Sequence, residues 1–410
     1  MKKLSVLFLC AAMVLGCTAC AQPAASEPAE EAVTEPVIEK QPTVFDKYAS
    51  NTSISTGSHL TVDAEEAITY RSYYPLQEYG ELEYKFYFSN TLDSTWDKGR
   101  WGHAGMPCGN YEILSAAVYD GGTSSEDTAK LLAKVTFDGG NAGKKVTSGE
   151  TFWSDAVTIS VPEGHYLVWE WTVQGEDIPC IRMSNLAYSF FSKDGTNFIY
   201  SNEAPAPQLI GAKRDTKLKI AAFGDSITQG CESTEFGNDF WVTEVAETLG
   251  EDYSVWNLGI GYSRASDAAL CGDWLERAKS ADIVTVAFGT NDAVVGQYGA
   301  YRPSTADEID GWLRTIVTEL KDAGCQVILF NAPPFDFEGD TEATRTALND
   351  KLPAAAEELG VPLFDWAAFL EDTASPNKAI YGGHPDGEGC ALIAEKFLAE
   401  YGDMIGYTGE

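Results

Sequence analysis

The sequence is poor in basic residues, in histidine and in long apolar runs. Lysine and arginine total 28 against 62 aspartates and glutamates, a net charge of −34. Such a field repels nucleic acid and anionic membrane surfaces, which excludes a phosphate-tracking binder and favours neutral substrates over polyanions. Only four histidines occur in 410 residues. The cysteines beyond residue 20, at 108, 180, 231, 271, 325 and 390, form no CxxC pair, so a zinc cluster has no support and neither metal nor cofactor is expected. In an exported chain Cys108 with Cys180 and Cys231 with Cys271 are candidate disulfides, and six buried thiols are the alternative. The one apolar run of note, residues 4–15, is short of the ~20 residues that a spanning helix needs.

What is present at the start is MKKLSVLFLCAAMVLGCTAC: two lysines, the apolar run, then small residues ending in cysteine. This is an export-signal pattern. It resembles the signals of bacterial lipoproteins, which implies lipidation at Cys17 (VLGC) or Cys20 (CTAC) and an anchored place at the cell surface; a conventional signal peptide with secretion is the alternative. Residues 21–45, rich in Ala, Pro and Glu without hydrophobic period, read as a disordered tether. The membrane enters only through that anchor, and oligomeric state is left open.

Two patterns follow. Over residues 46–205, short alternating segments such as LEYKFYFSN, YEILSAAVYDGG and YLVWEWTV are punctuated by Asp-Gly, Gly-Gly and Pro-Glu-Gly turns. They predict an antiparallel β-sandwich or jelly roll. After a bridge at residues 206–215, apolar runs alternate with helical stretches over residues 216–406. KLKIAAFG, YSVWNLG, ADIVTVAFG, CQVILFNAPP and VPLFDW read as buried parallel strands. Helices are expected over residues 239–250, 265–280, 306–324 and 343–360, the last kinked or broken at Pro353, and over 386–401. The fold class is an α/β three-layer sandwich with a parallel sheet, whose sites form at the carboxyl ends of its strands.

The polar motifs fall at those ends. Gly224 permits a tight turn after the first strand, placing Ser226 at the start of a short helix; a serine there is a nucleophile or merely a cap. After the second strand, the glycines of NLGIGY, Gly259 and Gly261, suit close backbone approach or an N–H facing a site. After the third, Asn291 could aim its amide at an oxyanion or make an Asx turn. His384, between Gly383 and Pro385, is on no apolar helix face. One serine and one histidine on strand-to-helix edges make acyl transfer by a Ser-His pair the economical chemistry. Trp241 and the run Pro333, Pro334, Phe335 are candidate cleft walls, with core as the other reading of Trp241. Trp274, spaced helically with Leu270 and Leu275, reads as core. In the β region Trp96, Trp101 and His103 form the most tempting polar-aromatic cluster.

These four segments resemble, in order, the blocks of the SGNH/GDSL hydrolase superfamily. The resemblance covers roughly residues 215–405. It implies a flavodoxin-like hydrolase fold, Ser226 as nucleophile with its own N–H in the oxyanion hole, and Asn291, in a complete GTND, as a side-chain donor. The oxyanion glycine falls on Tyr262, with Gly261 the nearest substitute. The final block, usually DxxHP, is here Tyr381, Gly382, Gly383, His384, Pro385, so Tyr381 stands where the family has its acid. A backbone carbonyl could orient His384 instead, as in the branch of carbohydrate esterases that joins a jelly roll to a GDSL domain. Asp386 ranks second, though it reads as a helix cap, and the Tyr381 hydroxyl or a distant acid ranks third. The resemblance, with the β region ahead of it, implies a serine esterase removing O-acetyl groups from a polysaccharide or oligosaccharide. A lipase-like acylhydrolase and a non-catalytic surface glycan binder are the alternatives.

Overall fold

A computed structural model describes residues 39–94, 96–97, 100–101, 104–183, 186–270, 272–294 and 302–409. The export signal with Cys17 and Cys20, most of the tether, His103 and Cys271 lie outside the described residues. No helix among them is long and apolar enough to cross a membrane.

Among the described residues from Ala49 to Ala212 the strands form two antiparallel sheets, one of five strands and one of eight, and a two-stranded ribbon. In the larger sheet the strand Leu167–Arg182 lies between Leu60–Tyr74 and Tyr111–Asp120. Residues two apart on a strand face the same way. Trp169 and Trp171 therefore both reach the strand Gly80–Ser89 of the smaller sheet, where Phe86 lies 4.6 Å from Trp169 and Phe88 lies 5.4 Å from Trp171, centroid to centroid. Aromatic alternation thus binds the sheets face to face, as a sandwich requires.

The second part is a parallel sheet of Leu218–Gly224, Tyr253–Asn257, Ile283–Ala287, Gln326–Phe330 and Leu363–Phe364. Its spatial order is second, first, third, fourth, fifth. This is the flavodoxin-like winding, in which the crevice opens beyond the carboxyl ends of the first and third strands. Of the surrounding helices, Ala306–Asp322 opens with a capping box between Thr305 and Glu308. The helical pattern over residues 343–360 is two helices, Gly339–Asn349 and Leu352–Leu359. Pro353 sits in the first turn of the second, where its missing N–H costs nothing.

The two parts share their interior, and residues from 38 onward form one compact unit. Ile54, Tyr84 and Phe86 belong to the same core cluster as Ile220, Phe240 and Val245. Arg277 of the α/β part is ion-paired with Asp93 of the β part, both side chains fully buried. Tyr87 donates its hydroxyl to Asp273 at 2.5 Å. Within the expected bridge, Leu209–Ala212 is a strand paired antiparallel with Gly80–Ser89. At the end of the expected tether, Phe45 is packed between Tyr87 and Trp256. Cys108, Cys180, Cys231, Cys325 and Cys390 carry thiols, so the Cys108–Cys180 bridge is not formed and Cys231 is in none.

Candidate active site

The first parallel strand runs into the crevice at Gly224. A Cβ there would lie 2.2 Å from Thr228 Oγ1 and 2.8 Å from the Ala287 carbonyl oxygen. No side chain fits where the chain leaves the strand, passes its neighbour and enters the short helix Ser226–Gln229. Asp225 caps that helix by accepting the Ile227 N–H at 3.0 Å. Burial pushes its carboxyl up to about 7. Ser226, the next residue, is half-buried and faces the crevice.

His384 reaches the serine from a turn closed by the Asp386 N–H donating to the Tyr381 carbonyl at 3.0 Å. Its Nε2 lies 2.8 Å from Ser226 Oγ. The Phe335 ring meets the imidazole edge to face at 5.0 Å. Burial holds the His384 pKa below the ordinary imidazole range, although the neighbouring Glu232 carboxylate pulls it upward. A neutral imidazole with its proton on Nδ1 leaves Nε2 to accept the serine hydroxyl proton. The group facing Nδ1 is Glu232, with Oε2 at 3.5 Å. It is a distant acid, the class ranked third from the sequence, and it stands where the backbone carbonyl was ranked first. Asp386 spends its carboxylate on the final helix, Gly387–Ile405, accepting the Gly389 N–H at 3.0 Å. Tyr381 packs beside Gly389 and Pro385 against the core and does not line the crevice.

On the opposite wall, Asn291 follows the third strand and donates its side-chain amide to the Ser263 carbonyl at 2.9 Å, which fixes the direction of the group. A primary amide has two N–H donors, and this bond uses one. Next to it, buried Asp292 accepts the Ala265 N–H at 2.8 Å, tying the turn after the third strand to the one after the second. Tyr262, at φ 63°, occupies the left-handed region that glycine enters freely. The glycine that the resemblance implies at this position would meet that backbone demand freely, and here a tyrosine meets it. Ser226, Gly261, Tyr262, Asn291, Phe335 and His384 all line one cleft of ≈ 580 Å³. Gly259 does not line it: its Cα faces the main chain of the serine helix, where a Cβ would lie 2.3 Å from the Gln229 nitrogen.

Three expected wall residues are elsewhere. Trp241 is 2% exposed, packed between Phe330 and Phe397 at 5.7 and 6.2 Å. The first turn of an amphipathic helix carries it into the core. Pro333 and Pro334 are buried and do not line the cleft, whereas Phe335 does. Trp274 is core, donating its indole N–H to the Leu258 carbonyl at 3.1 Å. Trp96 and Trp101 are backbone partners in a two-stranded ribbon, and His103 lies outside the described residues. The β region instead sends His59 and Arg182 into the cleft. Burial, reinforced by the Arg182 charge, pulls His59 down to about 3, so it is neutral. The sequence reading missed both of these, and Glu232. His59 was findable as one of four histidines, and Glu232 as an acid six positions after the serine; nothing local marked Arg182. Among the described residues, no group of three His, Cys, Asp or Glu is placed to hold a metal ion.

Residues 222–392, which contain Ser226, Gly261, Tyr262, Asn291 and His384, match the GDSL-like Lipase/Acylhydrolase family. No curated protein matches the chain in sequence. Among solved structures it is similar to a variant of an acetyl-xylooligosaccharide esterase from Geobacillus stearmophilus, at 24% identity and TM-score 0.38 over 46% of this chain and 95% of that one. It is also similar to a carbohydrate acetylesterase from Sinorhizobium meliloti, at 20% identity and TM-score 0.37 over 46% of this chain and all (100%) of that one. A member of the lipolytic protein G-D-S-L family from Veillonella parvula is similar at 21% identity and TM-score 0.37, covering 45% and 98% of the two chains.

Proposed function

We propose that this chain is a serine ester hydrolase that removes O-acetyl groups from a carbohydrate through an acyl-enzyme on Ser226. The observation that carries the hydrolytic reading is the 2.8 Å contact between His384 Nε2 and Ser226 Oγ in an open cleft. His384 takes the Ser226 proton as Oγ attacks the ester carbonyl carbon. The carbonyl oxygen becomes an oxyanion, received by the Asn291 amide, the Ser226 N–H and the main chain at Gly261 and Tyr262. Collapse expels the alcohol, which leaves with the proton from His384. Water, deprotonated by His384, then attacks the acyl carbon, and acetate and free Ser226 result.

The choice of a short acyl group and a hydroxylated alcohol rests on the lining. His59, Arg182, Gln229, Glu232, Asn291 and Asp336 are polar, and Val294 and Phe335 are the main apolar side chains among the lining residues. Such walls offer hydrogen bonds to sugar hydroxyls and little continuous apolar surface for a fatty chain. We place the enzyme outside the cytoplasm, held to a membrane through Cys17 or Cys20. Incorporation of labelled fatty acid should disappear in the variant lacking the acceptor cysteine.

The test is acetate release from acetylated xylan, together with 4-nitrophenyl esters of increasing chain length. Activity should fall steeply beyond short acyl groups, and Ser226→Ala should lose it by about 10³-fold or more. Equal turnover of long-chain esters would favour the lipase-like reading. Equal turnover by the Ser226→Ala protein would remove the nucleophile.

A further inference from the structure

The final histidine block carries no acid in the family's position, yet the structure brings one to the imidazole from the other end of the domain. Glu232 lies in the loop that leaves the serine helix, and its Oε2 faces His384 Nδ1 at 3.5 Å. Two features hold it there. The Gly230 and Cys231 N–H groups both donate to the Ser226 carbonyl, at 3.1 and 3.0 Å, which ties the main chain just before Glu232 to the serine's own residue. Farther along, the Phe236 ring stacks on Tyr188 of the β region at 3.9 Å. Between these anchors, Glu232 and Phe236 keep positive φ values of 66° and 57°, a conformation non-glycine residues hold only where the surroundings over-determine it.

We propose that Glu232 is the positioning residue for His384, the acid that holds the imidazole with its proton on Nδ1 and stabilises the imidazolium formed when Ser226 gives up its proton. This rests on the ester hydrolase reading and extends it: the acid comes from the nucleophile's own loop, and the aromatic contact with the β region sets where that loop lies. The other ionisable groups around the imidazole do not compete for Nδ1. Asp386 caps its helix, and Asp225 is buried behind the serine with its carboxyl bonded to Ile227. Asp336 accepts the Ala379 N–H at 3.0 Å, Arg182 pairs with Glu203 at 3.6 Å, Cys231 donates its thiol to Gln229 Oε1 at 3.5 Å, His59 is buried in the cleft wall, and Tyr381 packs against the core. Glu232 is 73% exposed, so water weakens its charge and its effect is smaller than that of a buried triad carboxylate.

The test compares unaltered protein with Glu232→Gln and Glu232→Asp. Glutamine should lower kcat by about 10- to 100-fold with KM little changed, while leaving the melting temperature in place, because so exposed a side chain carries little stability. The carboxylate raises the His384 pKa, and the imidazole must be neutral to act as base. Its removal should therefore move the acid limb of the kcat–pH profile to lower pH, and aspartate should fall between the two. His384 is also titrated by NMR, assigned against His384→Ala, with the same downward shift expected in Glu232→Gln. That titration needs no turnover: an unmoved imidazole midpoint overturns the role of Glu232, whereas an unaltered protein inactive on every ester overturns the hydrolase reading instead. A merely structural Glu232 would move the melting temperature and neither pH readout.

Discussion

At the scale of single residues, the proposed reaction divides labour between groups held before any substrate arrives and groups that change state in it. Asn291 is of the first kind, its amide direction set by the bond to the Ser263 carbonyl. Donors aimed at a developing oxyanion act mainly in the transition state. Asn291→Ala should therefore lower kcat by about 10²- to 10³-fold and leave KM within a few-fold; steady-state kinetics on a short-chain ester checks this, and a loss confined to KM would deny Asn291 that role. His384 is of the second kind. It was legible because a histidine between glycine and proline, off any apolar face, has little reason to be core. What faces its Nδ1 was not legible, because that depends on a loop about 150 positions earlier in the chain.

At the scale of elements, a short polar side chain at a helix start can be read as a catalytic group or as a cap. Asp386 is the case that matters. Its Oδ1 accepts the Gly389 N–H, satisfying one of the donors that every helix leaves open at its start. Asp386→Ala should cost about 1 kcal/mol of stability, seen as a lower melting temperature, while kcat of the folded protein is kept. A loss of turnover matching that of His384→Ala, with melting unchanged, would return Asp386 to the catalytic set. The break at Pro353 and the start of the final helix were readable because caps and prolines act within one turn. The inward turn of Trp241 was not. Helical periodicity marks an apolar face, and which neighbours cover that face is settled by how the helix packs against Phe330 and Phe397.

At the scale of the whole molecule, the β region is built into the α/β part rather than tethered to it. It supplies two cleft residues, a stacking partner for the Glu232 loop and the buried counter-ion of Arg277. Asp93→Ala would leave the Arg277 charge buried with only Asp273 beside it, at 3.2 Å. The expected cost is about 3 kcal/mol, and both parts should melt together in a single calorimetric transition shifted downward; two separated transitions would show that the parts fold independently. Composition and local pattern alone determined the two fold types, the parallel strands, the turn that carries Ser226, the Asn291 position and the place of His384 before the final helix. Each of these is written within a few turns or one strand, where periodicity and turn chemistry act. Only the tertiary structure decided that Glu232 faces the imidazole, that Trp241 lies inside, that His59 and Arg182 enter the cleft and that Cys108 and Cys180 remain thiols. Those outcomes depend on which residues meet across long stretches of chain, and packing settles that where local preference does not.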